Sequence, residues 1–369
     1  MKIFNPGFVP GYTSVYPFAQ NPLNEEPPVG GRIGGNMSGY IRFILKKTFR
    51  ALLLLVTVSI VTFTLVSLSP IDPLQANLGQ AALGAMSQEQ REKLEAYWGM
   101  DEKPVNRYLG WAGDFLKGDM GTSLLYRRPV WEVIRVRLSG SLLLLLSSWL
   151  LSGVLGLLFG ILAGVFRDRW PDRLIGGYCL LVAATPVFWI ALLLLLVFAV
   201  WLGAFPIGLS VPIGLETEGV TWADRLYHAF LPALTLSITG ISSVALHTRE
   251  KMIDVMESDY MLFARARGER GVSLILRHGL RNILLPAMTL QFTSVSEIIG
   301  GSVLVEQVFS YPGLGQAAVA AGTGSDVPLL MGITMVTAAI VFLGNLAADM
   351  LYGAVDPRMR GKESRDEIW

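Results

Sequence analysis

The chain has 369 residues, of which 52% are hydrophobic and 16% charged, with a mean hydropathy of +0.49. Soluble domains carry about 25% charged residues, so this balance excludes an ordinary water-soluble globule and points to lipid as the solvent. The net charge of +1 leaves no electrostatic footprint for nucleic acid, and the single cysteine, Cys179, excludes an internal disulfide framework or a cysteine metal cluster.

Residues 1–37 are rich in Pro, Gly and Asn without helical or alternating period, and are expected to be a disordered extension. They have no basic start followed by an apolar core, so they are not a secretory signal, and Met37 offers an alternative start. A basic lead-in follows at 38–48, then a transmembrane domain over 49–360 and a tail at 361–369. A spanning helix needs about 20 apolar residues. Six segments reach that length, at 49–68, 139–165, 174–202, 229–246, 283–305 and 328–352. The third contains Pro186, which predicts a kink or a break packed against protein. In the second, Gly156, Gly160 and Gly164 share one helix face and predict a close neighbour.

Lysine and arginine set the orientation. Arg42, Lys46, Lys47 and Arg50 precede the first span, and Arg167, Arg169 and Arg173 follow the second. Arg249, Lys251, Arg265, Arg267, Arg270, Arg277 and Arg281 lie between the fourth and fifth, and Arg358 and Arg360 follow the sixth. The positive-inside rule puts these loops and both termini in the cytoplasm. The 70–138 loop is then external; its Arg127, Arg128, Arg135 and Arg137 escape the rule because the loop is long. In it, Ser87 and Gln90 predict a capping box on a helix that stops by Gly99. Pro104 predicts a second helix with Val105, Tyr108, Trp111 and Phe115 on one face, ending at Gly118. Such amphipathic helices lie on the bilayer, cover the bundle or receive a partner.

The most informative stretch is the cytoplasmic loop at 249–282. Ser258 is placed as an N-cap, Asp259 opens the helix, Arg265 and Arg267 close it, and Gly268 supplies the positive φ of a stop. A second helix is expected from about Ser273. A helix this short needs packing. Tyr260, Phe263 and Ala264 form an apolar side fit for a partner's groove, while the residues equally allow a basic loop on anionic headgroups. Glu297 in the fifth span and Asp349 in the sixth are intramembrane acids. Glu297 either lines a solute path or bonds a neighbouring helix, and Asp349 suits snorkelling or a pair with a loop arginine. His228, His247 and His278 lack metal-ligand spacing, so no metal site is expected. No P-loop occurs.

Asp259, Tyr260, Ala264, Arg265, Ala266 and Gly268, followed by Leu276, Arg277, His278, Leu280, Arg281, Asn282, Leu284, Leu285 and Pro286, resemble the loop signature of binding-protein-dependent ABC permeases. The branch is the one that takes up peptides, nickel and opine-type metallophores, and the likeness is to the first permease of its pair. It extends to Gly118-Asp119-Met120-Gly121-Thr122-Ser123, Pro186-Val187-Phe188-Trp189, Gly300-Gly301 with Glu306 and Phe309, Pro312-Gly313-Leu314-Gly315, and Asp356-Pro357-Arg358. Leu262, Phe263 and Val327 depart from the pattern.

The resemblance implies an all-α, six-helix membrane protein of the type I ABC importer permease fold, in a bacterial or archaeal cytoplasmic membrane, and not an enzyme. It implies that residues 259–268 form a coupling helix docking on a nucleotide-binding subunit, with Tyr260, Phe263 and Ala264 packing and Arg265 and Arg267 making polar contacts. ATP and Mg are expected on those partner subunits, with no cofactor on this chain. A second permease subunit, paralogous or identical, and an extracytoplasmic solute-binding protein complete the expected assembly. Glu297, Pro186 and Trp189 are the candidates for the translocation path. An ion-coupled secondary transporter is the alternative, against which six spans are few and no inverted repeat is evident.

Overall fold

The computed structural model describes residues 37–68, 80–97, 103–210 and 220–355. The N-terminal extension, the tail, Asp356-Pro357-Arg358 and Gly99 lie outside the described residues. The rest is helical apart from turns and one isolated bridge, Thr122 to Pro129.

In chain order the helices are α1 (Met37–Ser67), α2 (Gln80–Ala85), α3 (Gln88–Tyr97), α4 (Pro104–Leu116), α5 (Val130–Val165), α6 (Trp170–Ala183) and α7 (Val187–Leu194). They continue as α8 (Trp222–Met256), α9 (Asp259–Ala266), α10 (Gly271–Leu274), α11 (Leu280–Thr293), α12 (Val295–Val308), α13 (Leu314–Thr323) and α14 (Val327–Val355). Wide π turns extend α7 over Leu195–Trp201 and join α10 to α11 over Ile275–Gly279. Four helices, α1, α5, α8 and α14, are long and apolar enough to cross a membrane alone. Two bent pairs, α6–α7 at 107° and α10–α11 with α12 at 44°, bring the number to six when each is one span.

Contacts between helices show that the chain runs from one end of the bundle to the other in each pair. Gly156, Gly160 and Gly164 of α5 meet Val244, Thr248 and Met252 of α8 in the same order, so these two helices run parallel. The end of α5 and the start of α8 are therefore at opposite ends, and residues between them must cross back. Going up α5, Ile161 packs near Ile283, Trp149 donates to the Gln291 carbonyl at 2.7 Å, and Ser141 donates to Glu306 at 2.8 Å. So α11 and α12 climb antiparallel to α5. Tyr108 on Ser59 sets the upper part of α1, and Lys47 to Asp349 at 3.2 Å pairs its lower end with the lower end of α14. The ion pair also corrects the partner expected for Asp349, which is a lysine of the lead-in and not a loop arginine.

Several boundaries differ from the hydropathy reading, for physical reasons. Helix α5 starts at Val130, ahead of 139, because Val130, Val133 and Ile134 pack on Leu329 and Ile333 while Glu132, Arg135 and Arg137 interrupt the apolar run. Helix α8 starts at Trp222 on an unforeseen capping box, Thr221 with Asp224, and continues past 246 to Met256. The fifth span breaks at Ser294 with no proline or glycine there. Thr289, Thr293, Ser294 and Ser296 donate to carbonyls three or four residues back, a habit that bends helices. Pro186 makes a full break and not a kink. The short helix α13 carries no periodic signal long enough to have announced it.

At the end of the bundle where α5 begins, two buried carboxylates tie loops to helices. Glu306, fully buried, accepts from Ser141 Oγ at 2.8 Å and from the Gln316 amide at 2.9 Å. A Cβ on Gly313 would lie 2.2 Å from that carboxylate, which is why the turn into α13 needs glycine. Asp326, fully buried, accepts from Ser123 Oγ at 2.5 Å and the Leu125 amide at 3.0 Å, and caps α14 through the Leu329 amide at 3.1 Å. Asp119 meanwhile closes the Gly121 turn at 2.8 Å. The 118–123 motif is thus a clasp on the last span. Asp326→Ala removes a helix cap and strands one buried and one partly buried donor, so it should cost roughly 2–4 kcal/mol and lower the melting temperature in detergent. An unshifted melt would refute the clasp.

Candidate functional site

Helix α9 is an eight-residue helix hung below α8. Ser258 occupies the N-cap position with extended backbone, but its hydroxyl donates back to the Val255 carbonyl at 2.5 Å and does not cap the helix. Asp259 sits in the first turn and Arg265 in the last, each matching the helix dipole. The stop is a full Schellman turn. Gly268, at φ 91°, donates to the Arg265 carbonyl at 2.9 Å and Glu269 donates to that of Ala264 at 3.2 Å.

Packing holds this helix to its own chain. Met261 and Ala264 are buried against Met252, Val255, Leu274 and Ile283. The assignment of Ala264 to a partner's groove is therefore corrected: at 4% exposure it seats α9 on the bundle. Its methyl fits where a larger side chain would lift the helix. Asn282 donates to the Tyr260 hydroxyl at 3.0 Å, His278 Nε2 lies 2.9 Å from Glu269, and Arg267 lies 3.5 Å from the same carboxylate. The second helix begins at Gly271, φ 67°, two residues before the expected Ser273.

The opposite side is open. Tyr260, Leu262 and Phe263 are 45%, 66% and 68% exposed, and Val272 and Leu276 of the following segment are exposed as well. Asp259, Arg265, Ala266, Arg267 and Gly268 are exposed around them, with Arg270, Arg277 and Arg281 nearby in sequence. Tyr260, Leu262 and Phe263 thus give a short helix flanked by arginines an apolar side that the described residues leave uncovered. Leu262, a departure from the family pattern beside Phe263, is exposed on this same side.

Two ion pairs missed in the sequence tie the short 166–169 turn to the stem of α9. Arg249 donates from Nε and Nη2 to Asp172 at 2.5 and 2.8 Å, with the Asp172 side chain 6% exposed. Asp172 also accepts from the Asp168 amide at 2.9 Å, closing a turn in which Asp168 has φ 63°. Arg167 bonds Glu257, the residue before the Ser258 cap. Residues 77 and 90 apart give no local signal of such pairing.

Of the path candidates, Pro186 occupies the N-cap position of α7 at the break and Trp189 is 53% exposed on that helix. Glu297 lies in the first turn of α12, which packs against α7. Glu297 is exposed and makes no hydrogen bond or ion pair with the described residues, so the helix-to-helix bond is not formed within them. The histidines are each engaged otherwise, His228 beside the Gly208 carbonyl, His247 beside that of Ser243, and His278 on Glu269.

Fold and site together define a polytopic helical membrane protein with an arginine-flanked short helix whose apolar side is exposed at one end. Residues 156–361 match the binding-protein-dependent transport system inner membrane component family, and residues 40–144 match the N-terminal model of such membrane components. The chain belongs to this family. It is 35% identical over 320 residues to the oligopeptide transport system permease protein AppB of Bacillus subtilis, covering 86% of this chain and 98% of that one. It is 33% identical over 324 residues to the glutathione transport system permease protein GsiC of Pectobacterium atrosepticum, and 34% identical over 324 residues to that of Salmonella typhimurium. Each of those two alignments covers 87% of this chain and 100% of the relative. The chain is a permease subunit of an ABC importer.

Proposed function

We propose that the importer takes up a peptide-type solute, delivered by an extracytoplasmic binding protein, and that α9 is the contact with its nucleotide-binding subunit. The exposed apolar triplet Tyr260, Leu262 and Phe263, on a helix otherwise seated by Met261 and Ala264, is the observation that carries the coupling role. The peptide class rests on the names of the relatives, which favour it over nickel and metallophores. The chain itself is non-catalytic, and ATP and Mg belong to the partner subunits. Arg167, Arg249, Arg265 and Arg267 share the α9 end of the bundle, with Lys47 at the end where α1 begins, which supports a cytoplasmic location for that end and for both termini. The membrane is the bacterial or archaeal cytoplasmic membrane, and a second permease subunit completes the path. Pro186, Trp189 and Glu297, on touching helices and exposed or at a break, are the residues assigned to that path.

A Leu262→Asp, Phe263→Asp variant tests the coupling face. Burying two carboxylates at an apolar contact should cut peptide uptake and recovery of the ATPase with the permease about tenfold or more. The melting temperature should hold, because both side chains are exposed. Normal uptake with the ATPase still bound would overturn the assignment.

A further inference from the structure

Helix α4 divides around its circumference into three sectors. Tyr108, Trp111 and Phe115 form a run of ring contacts with centroids 6.1 and 5.1 Å apart, laid on α1 through Phe63 at 5.4 Å and a 2.8 Å bond to Ser59. Asn106, Asp114 and Lys117 are exposed on the polar side. Val105, Leu109 and Leu116, within about 40° of one another on the helix, are 67%, 61% and 86% exposed.

The depth of α4 tells what covers those three side chains. Its anchor points, Ser59 and Phe63, lie inside the apolar stretch Ile44–Ser67 of α1. At 1.5 Å per residue they sit about 12 and 6 Å below the end of that stretch. On α1 the neighbouring Ile60, Val61 and Leu65 are themselves 46%, 50% and 65% exposed, a surface whose solvent is lipid. The leucine sector lies about 60–100° around α4 from Tyr108, the residue bonded at that depth, while the polar sector lies on the other side and the Arg107 guanidinium, 5.9 Å from the Phe63 ring, suits the headgroup layer. A helix with this division lies in the boundary between headgroups and acyl chains.

We propose that α4 is an interfacial helix whose Val105, Leu109 and Leu116 insert into the acyl region of the leaflet at the external end of the bundle, with membrane lipid as the ligand. Its function is to fix the height and tilt of α1 and to hold the 118–129 clasp at the membrane surface. The inference rests on α1 crossing the membrane and not on which subunit binds α9.

The test uses the permease with its co-purifying subunits in nanodiscs of phosphatidylethanolamine and phosphatidylglycerol. Buried Cys179 is replaced by alanine, and single spin labels are placed by Leu109→Cys, Leu116→Cys, Asn106→Cys and Leu65→Cys. Collision with dissolved oxygen is compared with collision with a water-soluble nickel complex. Labels at 109 and 116 should share the high oxygen-to-nickel ratio of the lipid-facing label at 65, and the label at 106 should show the reverse. Equal access of nickel to 106, 109 and 116 would overturn the proposal. Exclusion of both relaxants from 109 and 116 would also overturn it, because the face would then be covered by protein, either a subunit or the solute-binding protein.

Discussion

Gly160→Leu should prevent α5 and α8 from closing and leave no folded permease in detergent. At Gly160 an added Cβ would lie 2.4 Å from the Thr248 Cβ and 2.7 Å from the Ala245 carbonyl, positions with no flexible end to give way. The neighbours repeat the pattern. At Gly156 the Val244 Cβ would be 2.7 Å away and at Gly164 the Met252 Cβ 2.6 Å. Three close approaches along one seam hold two parallel helices at backbone contact, where dispersion and packing drive association in lipid. Ordinary overpacking costs about 1–3 kcal/mol. A branched side chain against a backbone carbonyl should exceed that range. Gly160→Ala should give an intermediate loss, read as a lower melting temperature and a broadened size-exclusion peak. Gly176→Ala is the control, since its Cβ meets nothing within 4 Å. It should melt no lower than the parent, because alanine favours the helix by about 1 kcal/mol over glycine. Equal behaviour of Gly160→Leu and the parent would show that the seam is not where stability resides.

Asp172→Asn should destabilise more than removal of both partners. The pair is bidentate, and the Asp172 side chain is 6% exposed against 28% for Arg249. Neutralising the carboxylate leaves a partly buried guanidinium without its bidentate acceptor. Breaking a buried pair typically costs about 3–5 kcal/mol, and the partial exposure of Arg249 favours the lower end. Replacing both, Asp172→Leu with Arg249→Met, removes the stranded charge and should recover most of the loss, as apolar substitutes for buried ion pairs do. The readout is the melting temperature of the three variants in one detergent. A single variant that melts like the parent would mean that water reaches Arg249 freely. If the double variant regains stability yet transports poorly per ATP hydrolysed, the pair matters for carrying motion from α9 to α6 beyond holding the fold.

The membrane class, the six apolar segments and the loop helix with its glycine stop were legible because each depends on local composition or on residues within one turn. Apolar length marks a span, and Gly268 marks a stop because left-handed backbone suits glycine. The Gly156, Gly160 and Gly164 stripe announced a close neighbour without naming it. The family motifs likewise stood in order before their physical reasons did. Glu306 with Gly313, and Ser123 with Asp326, became intelligible as loop clasps only when residues up to 203 positions apart were seen bonded.

By itself, then, the sequence determined that this chain lives in lipid, roughly where its apolar segments lie, and that a short basic-flanked helix stands between two of them. Only the tertiary structure decided which side of that helix is free, because the 3.6-residue period places Met261 and Ala264 together but does not say that α8 covers them. Tertiary structure likewise decided that Glu297 is left unpaired among the described residues while Asp349 is paired, and that Asp172 meets Arg249. Ion pairs and exposure are properties of elements distant in sequence, and their energies arise from the low-dielectric contact that only packing creates.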